Sequence, residues 1–182
     1  MTSAFETFWA YRASGHATFL DGAAPVSSIL EMNAEEKRLT EQRLLPFVEA
    51  SVTTDPTAVR ALGLLQSRLA VPMLESLVHS RPDLRVETAL ALWRCTGSDK
   101  PIDILTTVLF SAGPIVRFLR AWRQRPPAEQ LAAIWALAQI QSPLAFATLN
   151  RAAYSDQLHP QVTSEALLEL TRTIQAGPST SE

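Results

Sequence analysis

The feature that most constrains this chain is a pattern of short apolar segments that comes round again along its length. Leu62 and Leu74 are separated by the same interval as Leu137 and Leu149. Between them Ala70 matches Ala145, and Leu65 matches Ile140. Small residues recur just ahead of the leucine positions, at Ala61, Ala89, Ala133 and Ala166. Small side chains at those places let neighbouring helices approach closely. Each helix pair takes about 30 residues, a length typical of solenoid repeats. A unit that small cannot bury its own apolar face, so it must stack on its neighbours.

Prolines and capping residues punctuate the pattern. Asn33 and Glu36 form a capping box, each side chain reaching the other's backbone N–H. Leu39, Leu44, Leu45 and Val48 follow at helical spacing, and Pro46 is expected to kink or split that helix because it removes a hydrogen bond. Asp55-Pro56 opens a helix with Val59, Leu62 and Leu65 on its apolar face, and a second runs through Val71, Leu74 and Val78. Arg81-Pro82-Asp83 marks the next start, with Val86, Ala89, Leu90 and Trp93 inward and a stop near Gly97. Pro101 opens another, with Ile104, Leu105 and Val108 inward. Pro126-Pro127 precedes Leu131, Ile134, Leu137 and Ala138. Ser142-Pro143 leads into Leu144, Leu149 and Ala152. His159-Pro160 opens the last helix, through Val162, Ala166, Leu167 and Leu170, and Gly177-Pro178 ends it. Residues 1–32 read as a cap segment whose Phe5, Phe8 and Trp9 belong to a core, 33–176 as the repeats, and 177–182 as a tail. The fold class is all-α, a short α-solenoid of antiparallel helix pairs.

Composition agrees. Only 6 glycines occur in 182 residues, against an all-β chain rich in tight turns. The apolar fraction of 47% suffices for one sizeable core. A net charge of -2 disfavours a nucleic-acid binder, which is usually basic as a domain. Cys95 is the single cysteine, which excludes an internal disulfide framework and suits a reducing compartment. Glu6 and Arg12 interrupt the N-terminal apolar stretch, so no signal peptide is expected. No run of roughly eighteen apolar residues is present, so no membrane span is expected. A soluble cytoplasmic protein follows as the default.

Asp55-Pro-Thr-Ala-Val-Arg-Ala-Leu-Gly-Leu-Leu65, followed by Ala70-Val-Pro-Met-Leu74, resembles the HEAT-like repeat shared with phycobilisome lyases. The resemblance covers about residues 40–175. Its second unit keeps Asp83 and Leu92 but has Glu87 in place of the arginine. Its third has Trp135-Ala-Leu137 without Asp-Val-Arg. The resemblance implies a stacked-helix architecture and is nearly silent on function, because repeat folds host many unrelated roles.

Candidates for chemistry are few. His16, His79 and His159 lie in different segments without metal-ligand spacing, so no metal is expected. Cys95 reads as a small buried hydrophobe. The alternative, a nucleophile or bilin-attachment thiol, needs a base or cation to lower its pKa. Glu35 and Glu36 point about 100° apart on a helix and share no site. They read as a solvated face and a cap. No phosphate loop or nucleophile elbow occurs.

The most unusual stretch is Gly113–Pro126. It carries Arg117, Arg120, Arg123 and Arg125, and no acid falls between Asp103 and Glu129. As a helix it places Ile115, Phe118, Leu119 and Trp122 on one face and arginines across the other. An ordinary amphipathic helix fits this pattern, and so does a contact surface for an acidic partner, since arginine pairs bidentately with carboxylates. The expected partner-binding residues are therefore Arg117, Arg120, Trp122, Arg123 and Arg125.

Together these features point to a non-enzymatic scaffold or adaptor for another protein, without a cofactor. By analogy, the concrete version is a bacterial immunity protein that neutralises a toxin. A chromophore lyase-like protein and a nucleic-acid binder using Arg117–Arg125 are the alternatives.

Overall fold

A computed structural model describes residues 1–13, 27–49, 55–110 and 128–176. Among these residues every regular element is helical. The chain divides into two compact units, Met1–Gly97 and Ser98–Glu182.

The first unit contains α1 (Ser3–Ala13), α2 (Ser28–Glu31), α3 (Ala34–Glu49), α4 (Pro56–Leu64), α5 (Val71–Ser80) and α6 (Arg85–Thr96). Helix α6 packs on both α4 and α5, while α2 and α3 pack on α4. Asp55 accepts from the Thr57 N–H at 2.8 Å, and Pro56 fills the first helical position, where a missing N–H costs nothing. The end of α4 is a Schellman-type turn. Ser67 N–H bonds to the Leu62 carbonyl and Gln66 N–H to that of Gly63. Gln66 takes the left-handed conformation there, with φ 53°. Gly97 closes α6 in the same region, with φ 65°. Helix α6 begins at Arg85 because Pro82–Leu84 forms a 3-10 turn first, three residues later than the proline placed it.

Of the expected kink or split at Pro46 the split does not occur, and helix α3 continues through it. Both Pro46 and Gln42, whose carbonyl loses its intrahelical donor, are exposed, so water can serve that carbonyl. The capping box forms as expected, Glu36 N–H to Asn33 Oδ1 at 3.0 Å and Asn33 N–H to Glu36 Oε2 at 3.2 Å. Glu36 does more than cap. It is only 3% exposed, and both the backbone N–H and the hydroxyl of Thr2 donate to its carboxylate. Beyond this anchor α1 packs on α2 and buries Phe5 and Phe8, with Arg43 lying over the Phe5 and Trp9 rings. Burial alone would raise the Glu36 pKa. The bonds from Thr2 and Asn33 outweigh it and hold the pKa below the ordinary 4.5. A depressed carboxylate pKa contributes stability above its unfolded value and loses it as pH falls through the folded one. The stability gap between the parent and Glu36→Gln, read from urea midpoints, should therefore close as pH drops from about 6 to below about 4.

The second unit contains α7 (Lys100–Phe110), α8 (Ala128–Gln139), α9 (Pro143–Ala153) and α10 (Pro160–Ala176). Helix α8 packs on α7, α9 and α10, and α9 packs on α10. Buried Gln130 donates to the Leu109 carbonyl at 2.6 Å, tying α8 to the end of α7. Ile102, not Ile104, joins Leu105 and Val108 in the core.

A shift of 75 positions (62 to 137) carries α4–α5 onto α8–α9, and burial follows it. Ala58 and Ala133, Val59 and Ile134, Leu62 and Leu137, Ala70 and Ala145, and Leu74 and Leu149 are all buried pairs. Gln66-Ser67 matches Gln141-Ser142, and both serines accept from the next helix's N-terminal N–H groups. The shift extends to α6 and α10 through Ala91 with Ala166 and Cys95 with Leu170. Fully burying a leucine stabilises by about 1.5–3 kcal/mol, so the repeated positions carry much of each core.

Candidate interaction faces

The expected partner residues Arg117, Arg120, Trp122, Arg123 and Arg125 lie outside the described residues. So does His16. His79 is exposed, and the ring of His159 accepts from the Gln161 N–H as a local cap. Among the described residues no group of three His, Cys, Asp or Glu is placed to hold a metal ion, and no helix is long and apolar enough to cross a membrane.

Cys95 is buried on α6, with its thiol 3.6 Å from the Leu62 carbonyl. Burial pushes its pKa up to about 11, and the negative charge of Glu41 adds to the rise. Arg94 and the Ser67 backbone oppose the shift without overcoming it. A nucleophilic cysteine needs the thiolate, and at pH 7 a pKa near 11 leaves roughly one molecule in ten thousand ionised. Iodoacetamide should label the folded chain only slowly at pH 7.5 and rapidly after denaturation. Fast labelling of the native chain would restore Cys95 as a candidate nucleophile.

Two outward faces carry specific polar contacts. The first joins α4 to α6. Arg60 Nη2 meets Glu87 Oε1 at 3.0 Å, and the Arg60 side chain remains 51% exposed. One turn along α4, Gly63 allows close helix approach, since a Cβ there would lie 2.8 Å from the Ala91 Cα. The same gap admits Arg94, whose Cδ would sit 3.6 Å from that Cβ. Burial, then the nearby Arg60 charge, holds the Arg94 pKa below its ordinary value. This face thus gathers two arginines and one glutamate.

The second face joins α8 to α10. Trp135 is 48% exposed, and its Nε1–H donates to Glu165 Oε1 at 2.8 Å. One turn further along α10, Glu169 pairs with Arg172. Under the 75-residue shift Trp135 occupies the register position of Arg60, and Glu169 that of Arg94. The two faces are thus counterparts in register.

A third surface is apolar. Leu167 (44% exposed) and Ile174 (62%) fall within roughly 20° of each other on α10. They continue the arc of buried Val162, Ala166 and Leu170 beyond the part that α8 and α9 cover. Leu144 and Leu167, which fall in the same apolar pattern as the core residues, are exposed, because neighbouring helices cover narrower arcs than that pattern offers. Phe146 and Tyr154 add exposed aromatics on and just after α9.

The sequence reading missed Trp135–Glu165 and Arg60–Glu87. The available signal was a large or charged side chain at an outward position between buried small residues, at the same place in two repeats. No family model, curated protein or solved structure matches the chain.

Proposed function

We propose that this chain is a HEAT-like helical scaffold that binds another protein without catalysing a reaction. The observation that carries the reading is the uncovered apolar arc of α10, where Leu167 and Ile174 extend the core face into solvent. The solvent-facing side of a helix in a folded domain is usually polar. An apolar one marks a place where a partner gains by covering it. The perturbed thiol of Cys95 weighs against the lyase-like alternative in its thiol-dependent form. Arg117, Arg120, Trp122, Arg123 and Arg125 remain proposed contacts for an acidic partner, in a segment that ends shortly before α8 in sequence. A toxin-neutralising immunity protein is the concrete form of this proposal.

The test is affinity purification with mass spectrometry, followed by reconstitution with the purified partner. Leu167→Glu with Ile174→Glu should weaken that complex by tenfold or more, about 1.4 kcal/mol, with helicity unchanged. Unaltered affinity would remove this arc as the binding surface. Reversing Arg117 and Arg120 to Glu tests the basic segment in the same assay.

A further inference from the structure

We propose that two copies of this chain pair through α10, antiparallel, about a two-fold axis that crosses the helix at the level of position 169. The inference rests on the reading of the α10 arc as a binding surface and names its occupant as a second copy.

Pro160, Ser164, Leu167, Thr171 and Ile174 are all exposed, at successive intervals of 4, 3, 4 and 3 residues. That spacing keeps them within roughly 80° of one another and is the spacing of a coiled-coil seam. Gln161, Leu168 and Gln175 run along one flank of the seam and are exposed as well. None of these residues is charged. A soluble surface carries about 25–35% charged residues, so a sector of this size should hold about two. The charges of α10 sit beyond the flank instead. There Glu165 accepts from Trp135, and Glu169 pairs with Arg172.

The sizes along the seam choose the occupant. Leu167 and Ile174 are bulky, and Ser164 and Thr171 between them are small. About an axis at position 169, Leu167 lies opposite the partner's Thr171, and Ile174 opposite the partner's Ser164. Each bulky side chain meets a small one in both directions, which is the self-complementarity an isologous interface requires. A parallel pair would set Leu167 on its own counterpart and Ser164 on its own, alternating crowded and empty layers. Leu168 stands one residue from the axis, so the two copies of this 45% exposed side chain meet on the flank. A face without charge also meets its own copy without like-charge repulsion.

The area sets the strength. Helix α10 has 17 residues, a length of about 25 Å. Its uncharged exposed sector spans roughly 140°, an arc of about 15–18 Å at the solvent-accessible surface. Pairing then buries roughly 400 Å² on each copy, or on the order of 800 Å² in total. Stable interfaces bury about 1,200–2,000 Å², so this dimer is a weak one, with a Kd on the order of 100 µM.

Sedimentation equilibrium of the full chain, from about 20 µM to about 1 mM, should show monomer and dimer in exchange. Raising salt from about 50 to about 500 mM should not dissociate the dimer, because no ion pair holds it. Leu167→Glu with Ile174→Glu should lower association at least tenfold, and so should Thr171→Arg alone. All three positions are exposed in the folded chain, and circular dichroism checks that each variant is folded. Cross-linking reads the register. Under mild oxidation an equimolar mixture of Ser164→Cys and Ile174→Cys should form a linked heterodimer. Either variant alone should not, since its two thiols lie about 15 Å apart along the helices. Cys95 is buried and does not compete. Linking within a single variant but not in the mixture overturns the antiparallel seam, as does a dimer that ignores the added charges. A parent that stays monomeric at about 1 mM overturns the second copy as occupant. If Leu167→Glu with Ile174→Glu then still weakens capture of a different protein, the arc remains a binding surface and only its occupant was wrong.

Discussion

Gly63→Val should destabilise the first unit by about 1–3 kcal/mol, the range for forcing extra carbon atoms into a filled contact. The reason is geometric. The first added atom would lie 2.8 Å from the Ala91 Cα and 2.9 Å from its Cβ. A flexible side chain could swing away, but a helix backbone can yield only by moving α6 off α4. That movement would also separate the Cys95 thiol from the Leu62 carbonyl next to Gly63. Intrinsic propensity pulls the other way, since alanine is better than glycine inside a helix by about 0.8–1 kcal/mol. Gly63→Ala should therefore be neutral to mildly destabilising, and valine, with two more methyl groups, clearly worse. Ala138→Gly, the register-equivalent change, meets no such contact rule and should lose only about 1 kcal/mol of propensity. Adding Ala91→Gly to Gly63→Val should recover part of the loss, because it removes one of the two close atoms. Urea denaturation of this set measures all four effects. A stabilising Gly63→Val would show that α4 and α6 do not meet at this point.

The parts of the fold legible in the sequence are those fixed within a few residues. Asp55-Pro56, Ser142-Pro143, Gly97 and the Asn33–Glu36 box each act through backbone groups one to four positions away, and each is found where its residues placed it. The second role of Glu36 was not legible, because Thr2 lies 34 positions off. Orientation around a helix was read less well. Periodicity gives the apolar arc but not the width that neighbours cover, so Leu144 and Leu167 share the apolar pattern of the core and are exposed. The same limit hid both polar faces. Arg60 meets Glu87 across 27 positions and Trp135 meets Glu165 across 30, and only helix packing brings such residues together. The arginine-rich segment stands out in the sequence because its composition is locally unusual. The faces of α4–α6 and α8–α10 have ordinary composition, and only helix packing assembles them.

Leu62→Ala and Leu137→Ala should each cost about 2–5 kcal/mol, and by similar amounts. Both side chains have no exposed surface, and each sits one residue after a buried alanine in its helix. Deleting three carbon atoms removes their transfer energy and leaves a cavity that close helix contact prevents from collapsing. Leu69→Ala and Leu144→Ala form the contrasting pair. They too are related by the 75-residue shift, but they are 66% and 41% exposed and should change stability by no more than about 0.5 kcal/mol. Four leucines that composition cannot tell apart are thus divided two and two by burial, with each division repeated in both units. Denaturant titration of the four variants tests the repeat as a physical equivalence rather than a likeness of letters. A large loss at Leu62 with a small one at Leu137 would mean that the shared register does not produce a shared core.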